Sequence, residues 1–215
     1  RQDVATVLVF EGPDAAGKGG AVRRITSALE VRNYQVHGVA QPTDEELAQH
    51  YLWRFWRHLP RDGHVAIFDR SWYGRVLVER VEGFANEQEW RRAYAEINDF
   101  ENQLIEHGTL LVKYWIHITL DEQLKRFKAR ESIPHKRWKL SSDDWLNRNH
   151  WPAYESAVDD LVQYTSTKVA PWTLIEGNDK RFARIKVLET LCQRLAKRLA
   201  SIPRDGTAIT ESHGA

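Results

Sequence analysis

Between Gly12 and Gly20 the chain reads Gly-Pro-Asp-Ala-Ala-Gly-Lys-Gly-Gly. Glycines at this density let backbone N–H groups curl around an anion. A helix that starts at the end of such a loop adds partial positive charge, and Lys18 can reach the outer oxygens of a phosphate chain. The chemistry is phosphate binding, with Gly12, Ala15, Ala16, Gly17, Gly19 and Gly20 as the cradle. Gly19 stands where such a loop ordinarily carries Ser or Thr, whose hydroxyl touches Mg²⁺. Another oxygen must then hold the metal, and Asp14 is the candidate, because a hard cation prefers carboxylate oxygen. Asp14 could equally position an attacking phosphate, or only stabilise the turn through local hydrogen bonds.

A second group begins at Asp69. In Val65-Ala66-Ile67-Phe68-Asp69-Arg70 an apolar strand ends in a carboxylate and a guanidinium, where a phosphate-loop enzyme places its second metal-holding acid. Capping of the next turn is the plain alternative for Asp69. Arg70 and Arg75 flank Ser71-Trp72-Tyr73-Gly74, and their forked donors match phosphate, although an ordinary surface ion pair is the commoner fate of an arginine. Further on, eight basic residues stand against three acidic ones between Lys125 and Arg148. Arg126 and Arg130 lie four apart on one helix face, and Lys136, Arg137 and Lys139 crowd a loop around Trp138. A basic flap closing over phosphates has this composition, as does a solvated helix face. Among the nine tryptophans, Trp53, Trp56 and Trp90 fit core stripes, while Trp72 and Trp138 are the candidate stacking partners. The histidines have no metal-ligand spacing, and no Ser-His-Asp or Cys-His set is visible.

The elements that must position these residues alternate in type. Apolar runs predict strands at Val4–Phe10, Tyr34–Val39, Val65–Phe68, Leu110–Ile118 and Trp172–Ile175. Between them, periodicity predicts a helix after the glycine loop, on which Arg23 and Arg24 point away from the apolar face. A second follows the Thr43/Glu46 capping box and carries Leu47, Tyr51 and Phe55; a third starts at Asn86/Glu89 and ends at Gly108. Helices at Asp121–Glu131 and Asp143–Tyr164 come next. A closing helix, Lys180–Ala200, turns Phe182, Ile185, Leu188, Leu191, Leu195 and Leu199 inward, with Cys192 in its core stripe. The fold class is α/β, a parallel sheet covered on both faces, whose strand C-termini hold the ligand.

The chain has 215 residues, 42% of them hydrophobic, which suits one core rather than disorder. A single domain over residues 1–200, with a lid at about 121–150 and a frayed tail at 201–215, is the expected organisation. No apolar run reaches membrane-span length, and the lone cysteine fits a reducing cytoplasm. A formal net charge of +1 does not announce a polyanion; only the local basic segment does. The chain has no methionine and opens almost directly on a strand, so a fragment or excised domain is expected.

The glycine loop at 12–20, together with Phe68-Asp69-Arg70-Ser71-Trp72-Tyr73, resembles the Walker A and Walker B stretches of the polyphosphate kinase type 2 family. Arg126-Phe127, Arg130, Pro134, Lys136 and Trp138-Lys139-Leu140-Ser141 are similar to its lid, and Ala170-Pro171-Trp172, Asp179-Lys180-Arg181 and Ala183-Arg184 continue the likeness over about residues 4 to 199. The resemblance implies a three-layer α/β/α P-loop kinase fold with a helical lid. It implies reversible transfer between inorganic polyphosphate and a nucleotide, with Mg²⁺, or Mn²⁺ in its place. Asp14, Lys18, Asp69 and Arg70 would be catalytic, Asp14 and Asp69 would hold the metal, and Arg75, Arg126, Arg130, Lys136 and Lys139 would meet phosphate. Gly74, and Tyr51-Leu52-Trp53-Arg54-Phe55-Trp56, look closer to the branch that phosphorylates AMP, with ADP or GDP as other acceptors. The helices that family members carry before the first strand are missing, so the chain is expected to be one half of a longer, duplicated protein. A homo-oligomer in the cytoplasm is expected, with neither membrane nor nucleic acid as partner. Two rivals stand beside this reading: an ATP-dependent nucleoside monophosphate kinase, and a non-catalytic phosphate- or RNA-binding module.

Overall fold

In chain order the elements are β1 (Thr6–Glu11), α1 (Lys18–Thr26), β2 (Tyr34–Gly38), α2 (Asp44–Leu47), α3 (Trp53–Trp56), β3 (Val65–Asp69), α4 (Val78–Val81) and α5 (Glu87–Glu106). Then come β4 (Leu110–His117), α6 (Leu120–Ser132), α7 (Ser142–Asn149), α8 (Trp151–Thr165), β5 (Trp172–Glu176) and α9 (Lys180–Ala200), with 3₁₀ turns at Val31–Asn33, Trp72–Val76 and Pro134–Lys139. This is a computed structural model, which describes residues 4–140 and 142–201, without the side chains of Lys136, Lys139, Ser142 and Asp143. The tail expected beyond Ser201 lies outside the described residues.

All five expected strands are present, within two residues of their expected bounds. They form one parallel sheet in the order β2-β3-β1-β4-β5. β1 is apolar on both faces because both are covered: Val7 and Val9 enter one core, Leu8 and Phe10 the other. Helices α5 and α8 complete the first core, and α1 and α9 complete the second, giving the three-layer α/β/α arrangement. Because β1 and β3 are adjacent and parallel, with Phe10 opposite Asp69, their C-terminal ends open on the same edge. Among the described residues no helix is long and apolar enough to cross a membrane.

Several helical expectations need correction. The helix expected after Thr43 keeps its capping box but ends after one turn; Leu47 is exposed, Leu52 and Phe55 enter the core, and Tyr51 packs against it half-buried. The helix expected over Asp143–Tyr164 is two, broken at His150. Pro152, which lacks an N–H, sits in the first turn of α8, where a proline does no harm. On α9 the buried stripe is Ala183, Val187 and Leu191 at four-residue spacing. Phe182, Ile185 and Leu199 are exposed, as is Cys192, one step round the helix from Leu191. Trp72 is 1% exposed and belongs to the core, so it is no stacking platform, whereas Trp56 is 45% exposed and only edges against Phe100.

Candidate active site

The loop after β1 folds on its own donors. Gly12 and Gly17 lie at φ 144° and 113°, in the region that favours glycine, and a side chain on Gly12 would collide with the Ile116 carbonyl of β4. Lys18 is buried, and its ammonium donates to the Gly12 and Pro13 carbonyls at 2.6 and 3.3 Å. The Ala16 N–H bonds Pro13 O at 3.1 Å, so this donor of the expected cradle is turned into the loop.

Arg126 departs furthest from expectation. It was expected along the path of the phosphate chain, but it is 5% exposed and lies beneath the loop. Its five N–H donors reach Glu122 Oε1 at 2.7 Å, Ala15 O at 2.9 Å, Ala16 O at 2.8 Å, Gly177 O at 2.6 Å and Asn178 O at 3.0 Å. A guanidinium saturated in this way clamps the glycine loop to the turn after β5.

Asp14 and Arg70 meet above the loop. Arg70 Nη2 donates to Asp14 Oδ1 at 2.5 Å, and Asn147 Nδ2 of α7 donates to Asp14 Oδ2 at 2.9 Å. Gln123 of α6 holds the Asp14 carbonyl at 3.1 Å. Burial works to raise the Asp14 carboxyl, but Arg70, Lys18, the Asn147 hydrogen bond and Arg130 together hold the group below its ordinary value. For Lys18, burial and then Arg70 pull the ammonium below the usual lysine value. Arg70 itself takes φ 66°, a left-handed backbone that costs a non-glycine residue on the order of 1 kcal/mol.

Two cavities open from this pair. One, of about 680 Å³, is lined by the loop, Lys18 and Asp69, with Arg23, Arg24, Arg130 and Arg184 around it. The other, of about 1550 Å³, runs from Val39 and Tyr51 past Arg75 to Trp151 and Tyr154. Asp14 and Arg70 line both. Asp69 and Arg130 line the smaller cavity beside the loop. Arg75 lines the larger one, 3.1 Å from Glu79 and 4.6 Å from the centre of the Tyr51 ring. The side chains of Lys136 and Lys139 lie outside the described residues, and Trp138 is 78% exposed.

Sequence reasoning missed Arg23, Arg24 and Arg184 as lining residues, and Asn147 as the second donor to Asp14. Arg23 and Arg24 were legible only as the polar side of α1, and they are exposed residues that line the open cavity. Arg184 had one overlooked signal in Gly20. A Cβ there would come 3.1 Å from Arg184 Nη2, so the glycine leaves room for the guanidinium. Asn147 had no signal.

A metal fits this donor set. A Cβ on Gly19 would lie 4.0 Å from Asp69 Oδ2, so a carboxylate occupies the ground that a Ser or Thr hydroxyl would serve. Among the described residues no group of three or more His, Cys, Asp or Glu could hold a metal ion by itself. That agrees with an ion bound through one or two carboxylates plus substrate phosphates.

A parallel sheet of this order, with a glycine loop after β1 and an acid ending β3, defines a P-loop kinase fold. The chain belongs to the polyphosphate kinase 2 family, whose model matches residues 1–202. It is 61% identical over 196 residues to a polyphosphate:AMP phosphotransferase of Pseudomonas syringae pv. tomato, covering 91% of this chain and 39% of that protein. It is 43% identical over 205 residues to the ADP-polyphosphate phosphotransferase 2 of Rhizobium meliloti, covering 95% and 66%. The crystal structure of polyphosphate kinase 2 from Arthrobacter aurescens TC1 superposes with a TM-score of 0.89 at 39% identity, covering 94% of this chain and 72% of that one. The chain spans about two fifths of the length of the polyphosphate:AMP phosphotransferases it matches.

Proposed function

We propose that this chain transfers a phosphoryl group from inorganic polyphosphate to a nucleotide, with AMP as the preferred acceptor, ADP and GDP as further ones, and the reaction reversible. The observation that carries it is the junction: a basic cavity and a larger, partly apolar one share Asp14 and Arg70. A bare phosphate chain suits the first, and a nucleotide the second. The preference for AMP is supported by the 61% identity to a protein named polyphosphate:AMP phosphotransferase, against 43% for one named for ADP.

A nucleotide phosphate is anionic at neutral pH, so no strong base is needed to make it a nucleophile. The barrier is the approach of two anions in line, and the protein lowers it by positioning and charge. Lys18 would swing from its loop carbonyls to the phosphate that leaves the donor. Arg70 would orient the transferred group between the two cavities. Arg23, Arg24, Arg130 and Arg184 would hold the rest of the chain. Mg²⁺, or Mn²⁺ in its place, would be held by Asp14 and Asp69 and would supply neutralisation of the phosphate oxygens. In this reading Arg126 keeps the loop in shape and touches no substrate. The protein would act in the cytoplasm as a homo-oligomer.

The test offers polyphosphate or ATP as donor with AMP, ADP, GMP or GDP as acceptor. Polyphosphate with AMP should give the highest kcat/KM. Transfer from ATP with none from polyphosphate would make the protein a nucleoside monophosphate kinase, and tight phosphate binding without transfer would make it a binding module.

A further inference from the structure

After Arg70, three consecutive side chains donate into two buried carboxylates. Ser71 Oγ bonds Glu11 Oε1 at 2.8 Å. Trp72 Nε1 and Tyr73 OH both bond Glu101 Oε1, at 3.1 and 2.7 Å. The other Glu101 oxygen accepts from Lys113 Nζ of β4 at 2.6 Å, and the pair is 0–1% exposed. Lys113 also donates to Tyr73 OH at 2.9 Å and to Thr165 O, in the last turn of α8, at 2.8 Å. Glu101, Lys113 and Tyr73 line neither cavity.

A buried ion pair is weak grounds for stability, since apolar side chains of similar size often serve as well. This one holds something specific. Arg70 keeps a left-handed backbone, and such a conformation persists only where its surroundings over-determine it. The turn that follows Arg70 has its side chains fixed at Ser71, Trp72 and Tyr73 in succession. Both Glu101 oxygens are thus partnered in the core, one by Lys113 and the other by the two aromatic residues.

We propose that Glu101 and Lys113 are positioning residues for Arg70: the buried pair fixes the Trp72–Tyr73 turn and so aims the guanidinium at the junction of the two cavities. The proposal rests on the phosphoryl-transfer reading above. Its link to α8 ties the same lysine to the helix that follows the lid region, so the turn and that helix share one anchor.

The test is Tyr73→Phe, which removes a single hydroxyl between the pair and the turn. The control is Tyr114→Phe. Tyr114 is a buried tyrosine next to Lys113, and its hydroxyl bonds Val187 O at 3.2 Å in the other core. Tyr73→Phe should lower kcat on the order of tenfold, with KM for both substrates within about twofold. Tyr114→Phe should lower Tm comparably and leave kcat unchanged. Added to Arg70→Ala, Tyr73→Phe should cause no further loss. Wild-type kcat in Tyr73→Phe well below its Tm, or full additivity with Arg70→Ala, would overturn the proposal. A wild-type protein that moves no phosphoryl group from polyphosphate would overturn the functional reading instead.

Discussion

At the residue scale, the proposed reading gives Lys18 and Asp69 different parts of the charge problem. The lysine is held in reserve on two loop carbonyls, and the aspartate stands over the ground a Ser or Thr hydroxyl at position 19 would otherwise serve. Lys18→Ala and Asp69→Asn should each lower kcat by about a hundredfold or more, with melting temperatures close to wild type. Near-normal turnover in either variant would contradict the assignment. Glu11 makes a prediction of opposite character. Burial raises its carboxyl above the ordinary value against the pull of Lys18 and the Ser71 hydroxyl. A raised value favours the protonated form in the folded state, so its contribution to stability is present at low pH and lost as pH rises through the folded value. Glu11→Gln keeps an acceptor for Ser71 without that titration. Its Tm should exceed wild type at about pH 7.5, and the gain should shrink as pH falls toward about 4. A gain independent of pH would remove the linkage.

Among elements, the first turn of α1 shows how a helix is shaped by what lies across from it. Gly20 is a poor helix residue, and alanine there should raise or preserve Tm by improving helix propensity. The same methyl would press on Arg184 Nη2 and displace it. Gly20→Ala should therefore raise KM for polyphosphate severalfold while KM for AMP holds, as measured by initial rates. An unchanged KM for polyphosphate would place Arg184 outside the path. This element also marks what sequence can and cannot reveal. The strands were legible because a parallel sheet covered on both faces demands apolar runs, as in β1 and, apart from Lys113, β4. The loop was legible because phosphate binding concentrates glycines locally. Arg126 was misread because its role is assembled from a distance: its acceptors lie 110 residues away at Ala16 and 51 away at Gly177. Within a basic run, a buried clamp and a solvated cation look alike. The split between α7 and α8 had a signal in Pro152 that periodicity overrode.

Over the whole molecule, the parallel register brings the ends of β1 and β3 to one edge, and the helices after β4 close over it from the other side. The outcome is two compartments with unlike linings that, among the described residues, share Asp14 and Arg70. On the proposed reading, segregating a polyanion from a nucleotide until their phosphates meet would answer their mutual repulsion, because each compartment would neutralise its own occupant. The most direct test measures KM for both substrates in two variants, Arg184→Ala and Arg75→Ala. Two compartments predict a dissociation: Arg184→Ala raises KM for polyphosphate alone, and Arg75→Ala raises KM for AMP alone. If both variants weakened the same substrate, or each weakened both equally, the two-compartment account would be contradicted.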